Sequence, residues 1–179
     1  MTAAWVAAVT VVSYVLFYTP LKTRTSLSTL GGAVPGALPP VIGWSAVTGS
    51  ITLPAIVLFG IVFFWQMPHF LAIAWMHRDD YRRAGIPLLP VVEPDGRRTG
   101  QQALQYSLAL APVSLMPVLV GLAGAPYAAI AVVLGVAMIW VTSAFARDRS
   151  FANAKRVFLF SLAYLSVLWT ALVVDRVWL

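Results

Sequence analysis

Two adjacent carboxylates, Asp79 and Asp80, stand at the end of a long apolar run and are followed at once by Arg82 and Arg83. The surrounding stretch, Trp65 to Pro90, reads WQMPHFLAIAWMHRDDYRRAGIPLLP and holds two of the six acidic residues in the 179-residue chain. Carboxylates at the mouth of a membrane helix are costly to place and commonly mark an ion or substrate site. They repel a diphosphate, but they can hold Mg²⁺, a hard ion often shared between one or two carboxylates and substrate phosphates. Lys22, Arg24, Arg78, Arg82 and Arg83 are expected on the same membrane face, where they can meet the remaining phosphate oxygens. A diphosphate neutralised in this way becomes a good leaving group. The alternative, of equal weight on composition alone, is that Asp79 and Asp80 simply pair with the nearby arginines. Adjacent residues point about 100° apart on a helix, so one of the two is expected to face a cavity.

His69 lies deeper in the same run. If the helix continues to Asp80, then Trp65, His69, Met76 and Asp80 share one stripe, with His69 and Asp80 about 16 Å apart along the axis. Pro68 can bend the helix and blur that alignment. Such a stripe suits a ligand with a greasy body and an anionic end bound through a metal. The default for His69 is a buried histidine bonded to a neighbouring carbonyl. A cavity-facing ligand or proton-handling residue is the alternative, and spacing alone does not justify ligation of a porphyrin iron. His77, at the aqueous rim, reads as an ordinary interfacial residue. Trp65 either lines a cavity or packs, and Trp178 reads as an interface anchor.

The elements that must position these groups are membrane helices. Apolar residues make up 60% of the chain and charged residues 10%, against about 25% charged in soluble domains; mean hydropathy is +0.86. The net charge of +6 does not point to nucleic acid, because the basic residues sit in short loops between apolar runs, as membrane orientation requires. Cysteine is absent, which excludes disulfides and thiolate metal sites. The uncharged first 18 residues, without a basic start or small-residue cleavage site, read as a spanning segment rather than a signal peptide.

A crossing takes about 20 residues. The uncharged stretches from Arg24 to Arg78 and from Arg98 to Arg147 are each too long for one helix, with natural breaks at Thr48–Ser50 and Gly121–Pro126. Six helices follow, near 1–18, 31–48, 52–76, 102–121, 127–146 and 157–175, within a single domain over 1–179. Alternation then tests the count. The loops after helices one, three and five hold Lys22 and Arg24; Arg78, Arg82, Arg83, Arg97 and Arg98; and Arg147, Arg149, Lys155 and Arg156. Only Arg176 lies at the far side, so the charged loops are expected to be cytoplasmic. The second helix, rich in glycine and proline from Gly31 to Gly43, either packs centrally or borders a cavity where neighbours satisfy its freed backbone groups, or packs closely through its small residues. In the large basic loop, Glu93–Gly96 reads as a turn, and Thr99 with Gln102 as a capping box.

Several of these stretches resemble a known family. Tyr18–Thr25 (YTPLKTRT), the Gly31–Trp44 segment, Trp65–Phe70 (WQMPHF) and Arg78–Val92 (RDDYRRAGIPLLPVV) look like the protohaem IX farnesyltransferases, or haem O synthases, of the UbiA-type intramembrane prenyltransferase superfamily. The likeness covers the whole chain and is densest from Tyr18 to Val92. It implies an all-α, polytopic transmembrane bundle, these six helices being part of nine around a cavity near the cytoplasmic face. It also implies transfer of farnesyl from farnesyl diphosphate to a vinyl group of protohaem IX (haem B, a substrate rather than a cofactor). Asp79 and Asp80 match the second acidic motif, catalytic and Mg²⁺-holding; Lys22 and Arg24 match the basic loop beside it; and His69, with Trp65 and Gln66, sits where the haem is expected. Arg78, Arg82 and Arg83 would complete the diphosphate contacts. The family's first acidic motif has no counterpart, so the chain is expected to correspond to the carboxy-terminal part, from the fourth helix on. Leu88 stands where methionine is common. The setting implied is a bacterial inner membrane, with a haem A synthase or oxidase assembly proteins as candidate protein partners. Another UbiA-type prenyltransferase, acting on a quinone or tetrapyrrole, and an inactive membrane fragment are the competing readings.

Overall fold

The computed structural model describes residues 1–26 and 28–178; the side chains of Phe17 and Trp178 lie outside the description, and with them the anchor expected at Trp178. The described residues are all-helical, and six helices are long and apolar enough to cross a membrane: Thr2–Leu21, Ser28–Thr48, Leu53–Met76, Arg97–Leu119, Ala125–Arg147 and Phe151–Val177. The expected count holds; helix three keeps within its expected bounds, while the other five extend beyond theirs at one end or both. The last begins at Phe151 and the fourth at Arg97, because backbone N–H and C=O groups stay paired by helix well into the headgroup region.

Helices three to six form the main core. Ile61, Leu71, Trp75, Leu110, Tyr127, Met138, Phe145, Tyr164 and Leu168 are sealed there in one cluster. Close approach relies on small residues: a Cβ on Gly100 of helix four would come within 2.8 Å of the Ala146 Cα in helix five, an approach that small residues permit in membrane bundles. Helices one and two form a hairpin that leans on helix three through a much smaller cluster of Val6, Val41 and Ala55. Val6 is the one buried residue of Thr2–Ser13. Polar contacts tie the helix ends in the alternating order expected. Thr2 Oγ1 donates to the Gly49 carbonyl (2.6 Å), Trp75 Nε1 to the Arg149 carbonyl (2.7 Å), and the Gly124 N–H to the buried Asp175 carboxylate.

Three helices depart from regular winding, and beside two of the breaks a neighbouring helix supplies a hydrogen-bonding side chain. Helix one is wound as a π-helix over Tyr14–Tyr18. Helix two breaks between Ser28–Gly36 and Pro39–Thr48, and buried Gln66 donates to the Ala33 carbonyl at 2.6 Å beside the break. Helix four breaks after Val113, and the Tyr127 hydroxyl donates to the Ser114 carbonyl (2.8 Å) while the Tyr164 hydroxyl bonds the Ser114 Oγ (2.7 Å).

Two local expectations are corrected. The third helix does not continue to Asp80: it stops at His77 (φ −109°, ψ 20°) and a separate helix, Arg78–Arg83, follows. The stripe from Trp65 to Asp80 is therefore not a single helical face. The capping box is also not formed. Helix four starts two residues before Thr99, which is fully buried inside it with its hydroxyl unpartnered. The orphan N–H groups of Arg97 and Arg98 are accepted by Asp95 Oδ1 and Glu93 Oε2, both at 3.0 Å, so the turn's own acids do the capping.

Gly100→Ala is expected to force helices four and five apart at a cost of about 1–3 kcal/mol, whereas Gly43→Ala, with open space around it, should leave stability unchanged. Thermal unfolding of the two variants in detergent, followed by size-exclusion recovery, checks the contrast.

Candidate functional site

On the face that carries the basic loops, a hollow of about 310 Å³ opens between the amino-terminal hairpin and helix three. Tyr14 and Tyr18 of helix one, Gly32 and Gly36 of helix two, and Phe70 and Ile73 of helix three line it, and Tyr81 and Leu88 close its aqueous end. Each lining group is there for a local reason. The π-turn winds Tyr14 and Tyr18 onto one side, with ring centroids 4.9 Å apart. Gly32 lets the Tyr18 ring lie flat against helix two, since a Cβ there would sit 2.6 Å from the ring. Gly36 makes the same allowance for the Gln66 side chain. The small-residue helix thus borders a cavity and also packs closely, both readings of its composition at once.

Tyr81 brings the acidic helix to this hollow. Asp79 and Asp80 precede it directly, and their side chains are 67% and 61% exposed. Arg82 pairs with Asp79 Oδ1 at 2.8 Å, Arg83 pairs with Asp80, and His77 Nδ1 lies 3.4 Å from Asp80 Oδ2. The carboxylates thus form ion pairs one helical turn along, at the rim rather than inside the cavity. Such exposed pairs contribute under about 1 kcal/mol and exchange readily for another cation or a phosphate. Arg78 turns the other way: its guanidinium sits 4.5 Å above the Trp75 ring and donates to the Trp75 carbonyl at 2.9 Å. Lys22 and Arg24 end helix one on the same face and enter no ion pair among the described residues.

The three deeper residues face protein. Gln66 is buried against helix two as described, 3% exposed. Trp65 Nε1 donates to the Ser161 carbonyl at 2.6 Å, and His69 Nδ1 bonds the Ser161 Oγ at 2.8 Å. His69 is stacked on Trp65 and flanked by Phe158 and Phe70. The partner of His69 is therefore a hydroxyl of helix six, not the carbonyl taken as the default. Sequence reasoning missed the tyrosines of the hollow and Ser161. Tyr18 and Tyr81 do fall inside the quoted motifs, but nothing in the sequence marks Ser161.

For Mg²⁺, the donor chemistry fits: two hard oxygen ligands at a water-accessible rim. Among the described residues there is no group of three or more His, Cys, Asp or Glu that can hold a metal. An ion held by Asp79 and Asp80 would take its other ligands from phosphate or water, the usual habit of Mg²⁺.

Asp79→Asn and Asp80→Asn should each shift the stability by less than about 1 kcal/mol, read as an unchanged unfolding midpoint in detergent. A loss of several kcal/mol would mean that the carboxylates are structural.

The sequence model of the UbiA prenyltransferase family matches residues 1–168. The chain is 45% identical over 176 residues to the protoheme IX farnesyltransferase of Solibacter usitatus (strain Ellin6076), covering 98% of this chain and 60% of that protein. It is 46% identical over 178 residues to the protoheme IX farnesyltransferase of Myxococcus xanthus (strain DK1622), covering 99% and 60%. Among solved structures, a chain from work on digeranylgeranylglyceryl phosphate synthase superposes with a TM-score of 0.84 at 14% identity, covering all of this chain and 63% of that one. This chain spans about 60% of the length of the relatives it matches. With the family matched over nearly its whole length, the chain belongs to the UbiA prenyltransferase family.

Proposed function

We propose that the protein is a haem O synthase acting as one transmembrane domain: it transfers farnesyl from farnesyl diphosphate to a vinyl group of protohaem IX. The observation that carries the reading is the joining of an aromatic hollow at membrane depth to an acidic rim through Tyr81. A farnesyl diphosphate has this same division into a long apolar body and a charged head. The relatives named above supply the acceptor, since they are protoheme IX farnesyltransferases.

In this reading Asp79 and Asp80 would hold Mg²⁺, whose charge would make the diphosphate a better leaving group. Arg82 and Arg83, one turn from the carboxylates, exchange their ion pairs for phosphate oxygens, and Lys22 and Arg24 approach from the end of helix one. Arg78, held over Trp75, organises the rim. The farnesyl chain lies in the hollow against Tyr14, Tyr18 and Phe70. As the carbon–oxygen bond to diphosphate breaks, the allylic cation is stabilised by the faces of these rings and shielded from bulk water until the vinyl carbon captures it. Capture leaves a cation on the vinyl group's inner carbon, and water adds there with loss of a proton to solvent, giving a hydroxyethylfarnesyl chain. His69 and Trp65, turned toward helix six, are assigned to the acceptor side, whereas Gln66 is committed to helix two. The basic loops face the cytoplasm of a bacterial inner membrane by the positive-inside rule, and a haem A synthase or oxidase assembly proteins would receive the product.

In the full-length protein, Asp80→Ala should lower haem O formation at least about a hundredfold, the scale of losing one key electrostatic group, without lowering the unfolding midpoint. Chromatographic quantification of haem O from protohaem and farnesyl diphosphate provides the measurement. Near-normal turnover in that variant would refute the role given to Asp80.

A further inference from the structure

The turn between helices five and six carries positive charge that the chain does not neutralise. Its ten residues, Arg147–Arg156, hold four cations (Arg147, Arg149, Lys155 and Arg156) and a single carboxylate, Asp148. That carboxylate is turned onto an amide: Asn153 Nδ2 donates at 2.9 Å both to Asp148 Oδ2 and to the Asp148 carbonyl. None of the four cations enters an ion pair among the described residues. Elsewhere on the same face Arg82, Arg83 and Arg98 each have a carboxylate, so facing this side of the membrane does not oblige a cation to stay unpaired. Helix four brings a fifth cation. Gly100 abuts Ala146, which places the start of helix four, with Arg97 one turn earlier, at the same corner.

The corner is braced. Trp75 Nε1 holds the Arg149 carbonyl at 2.7 Å. Arg147 Nε donates to the Ser143 carbonyl at 3.2 Å, Arg149 Nη1 to the Ala146 carbonyl at 3.1 Å, and Arg156 Nη1 to Asn153 Oδ1 at 3.3 Å. Each of these bonds uses one of the five N–H donors of a guanidinium, and the others can still fork onto a phosphate. Beneath the cations the surface is apolar. Trp140 stands seven residues before Arg147 on the same face of helix five, about 10 Å deeper, and is 70% exposed. On helix six, Leu159 and Leu162 stand four and seven residues beyond Lys155 and are 52% and 43% exposed. Charge at the surface with exposed apolar side chains directly below matches a molecule with an anionic head and acyl chains. A soluble acidic partner or a free phosphate would meet the cations but gain nothing from Trp140 at membrane depth.

We propose that this corner binds the headgroup of an anionic phospholipid from the leaflet that the basic loops face. Its phosphate would rest on Arg147, Arg149, Lys155 and Arg156, and its acyl chains over Trp140 and Leu159, as basic pockets between the ends of spanning helices hold acidic lipid headgroups. The test uses the full-length protein in phosphatidylcholine bilayers, titrated with spin-labelled phosphatidylglycerol and, for reference, spin-labelled phosphatidylcholine. The native protein should restrict phosphatidylglycerol saturably and in preference to phosphatidylcholine. Arg147→Gln with Lys155→Gln should lower that preference about fivefold per charge removed, the scale of one surface cation. Lys22→Gln with Arg24→Gln takes the same charge from the same face and should leave the preference intact. Phosphatidylglycerol should also raise the unfolding midpoint of the native protein but not that of the Arg147 and Lys155 double variant. Equal losses in the two double variants, a preference that never saturates, or displacement of the lipid by inorganic phosphate or an acidic peptide overturns the proposal. Arg147 and Lys155 are both exposed, so a midpoint that falls in phosphatidylcholine alone would make them structural and overturn it too.

Discussion

In lipid, a backbone N–H or C=O without a partner costs several kcal/mol, and this chain carries its proline and glycine where that cost is hardest to avoid. At two breaks a neighbouring helix supplies a hydrogen-bonding side chain: Gln66 donates to the Ala33 carbonyl, which also accepts the Ala37 N–H, and Tyr127 donates to the Ser114 carbonyl. These bonds are made between helices, so each also fixes the distance of one helix from the next. The hollow follows from this. Helix two is thin beside Tyr18, and Gln66 of helix three ties its irregular stretch to the bundle.

A second consequence concerns Trp75, which draws three parts of the basic face together. Its ring carries the Arg78 guanidinium, its Nε1 holds the Arg149 carbonyl, and its face packs under Gly96, whose φ of +67° and lack of a Cβ allow the contact. The loops that bear the acidic helix and the capped start of helix four are thereby referenced to one buried side chain. A rim whose own ion pairs are exposed and weak still has a fixed scaffold beneath it.

Much of this was legible in the sequence, for reasons that differ by feature. Charge-free runs revealed six crossings because lipid excludes charge, and Gly49 and Gly121 ended helices as expected, each with positive φ. The helix ends were less visible, since Arg97 and Phe151 are compatible with helix at the interface although composition marks them as loop. The stop at His77 carries no glycine or proline signal, so the supposed stripe to Asp80 looked continuous. Thr99 and Gln102 have capping-box spacing, but Glu93 and Asp95 compete for the same N–H groups and win. Carboxylates at a membrane helix mouth and a lone histidine in an apolar run drew attention to Asp79, Asp80 and His69, and the motif resemblance added the roles expected of them. The bond from His69 to Ser161, 92 residues away in sequence, depends on how helices three and six meet and has no sequence signature.

The two walls of the hollow belong to differently anchored parts of the molecule. Phe70, Ile73 and Tyr81 lie on or beside the well-packed bundle, while Tyr14, Tyr18 and Gly32 ride on a hairpin joined to it by the smaller cluster around Val6, Val41 and Ala55 and by the Gln66–Ala33 bond. Local opening follows the sparsest packing in a protein, and a ligand favours whichever state it bridges. A prenyl chain lying between the walls would act as mortar, its own methyl groups completing an interface that the polypeptide leaves thin. Under the proposed function, a brief lean of the hairpin away from helix three would let such a long, greasy guest in and out.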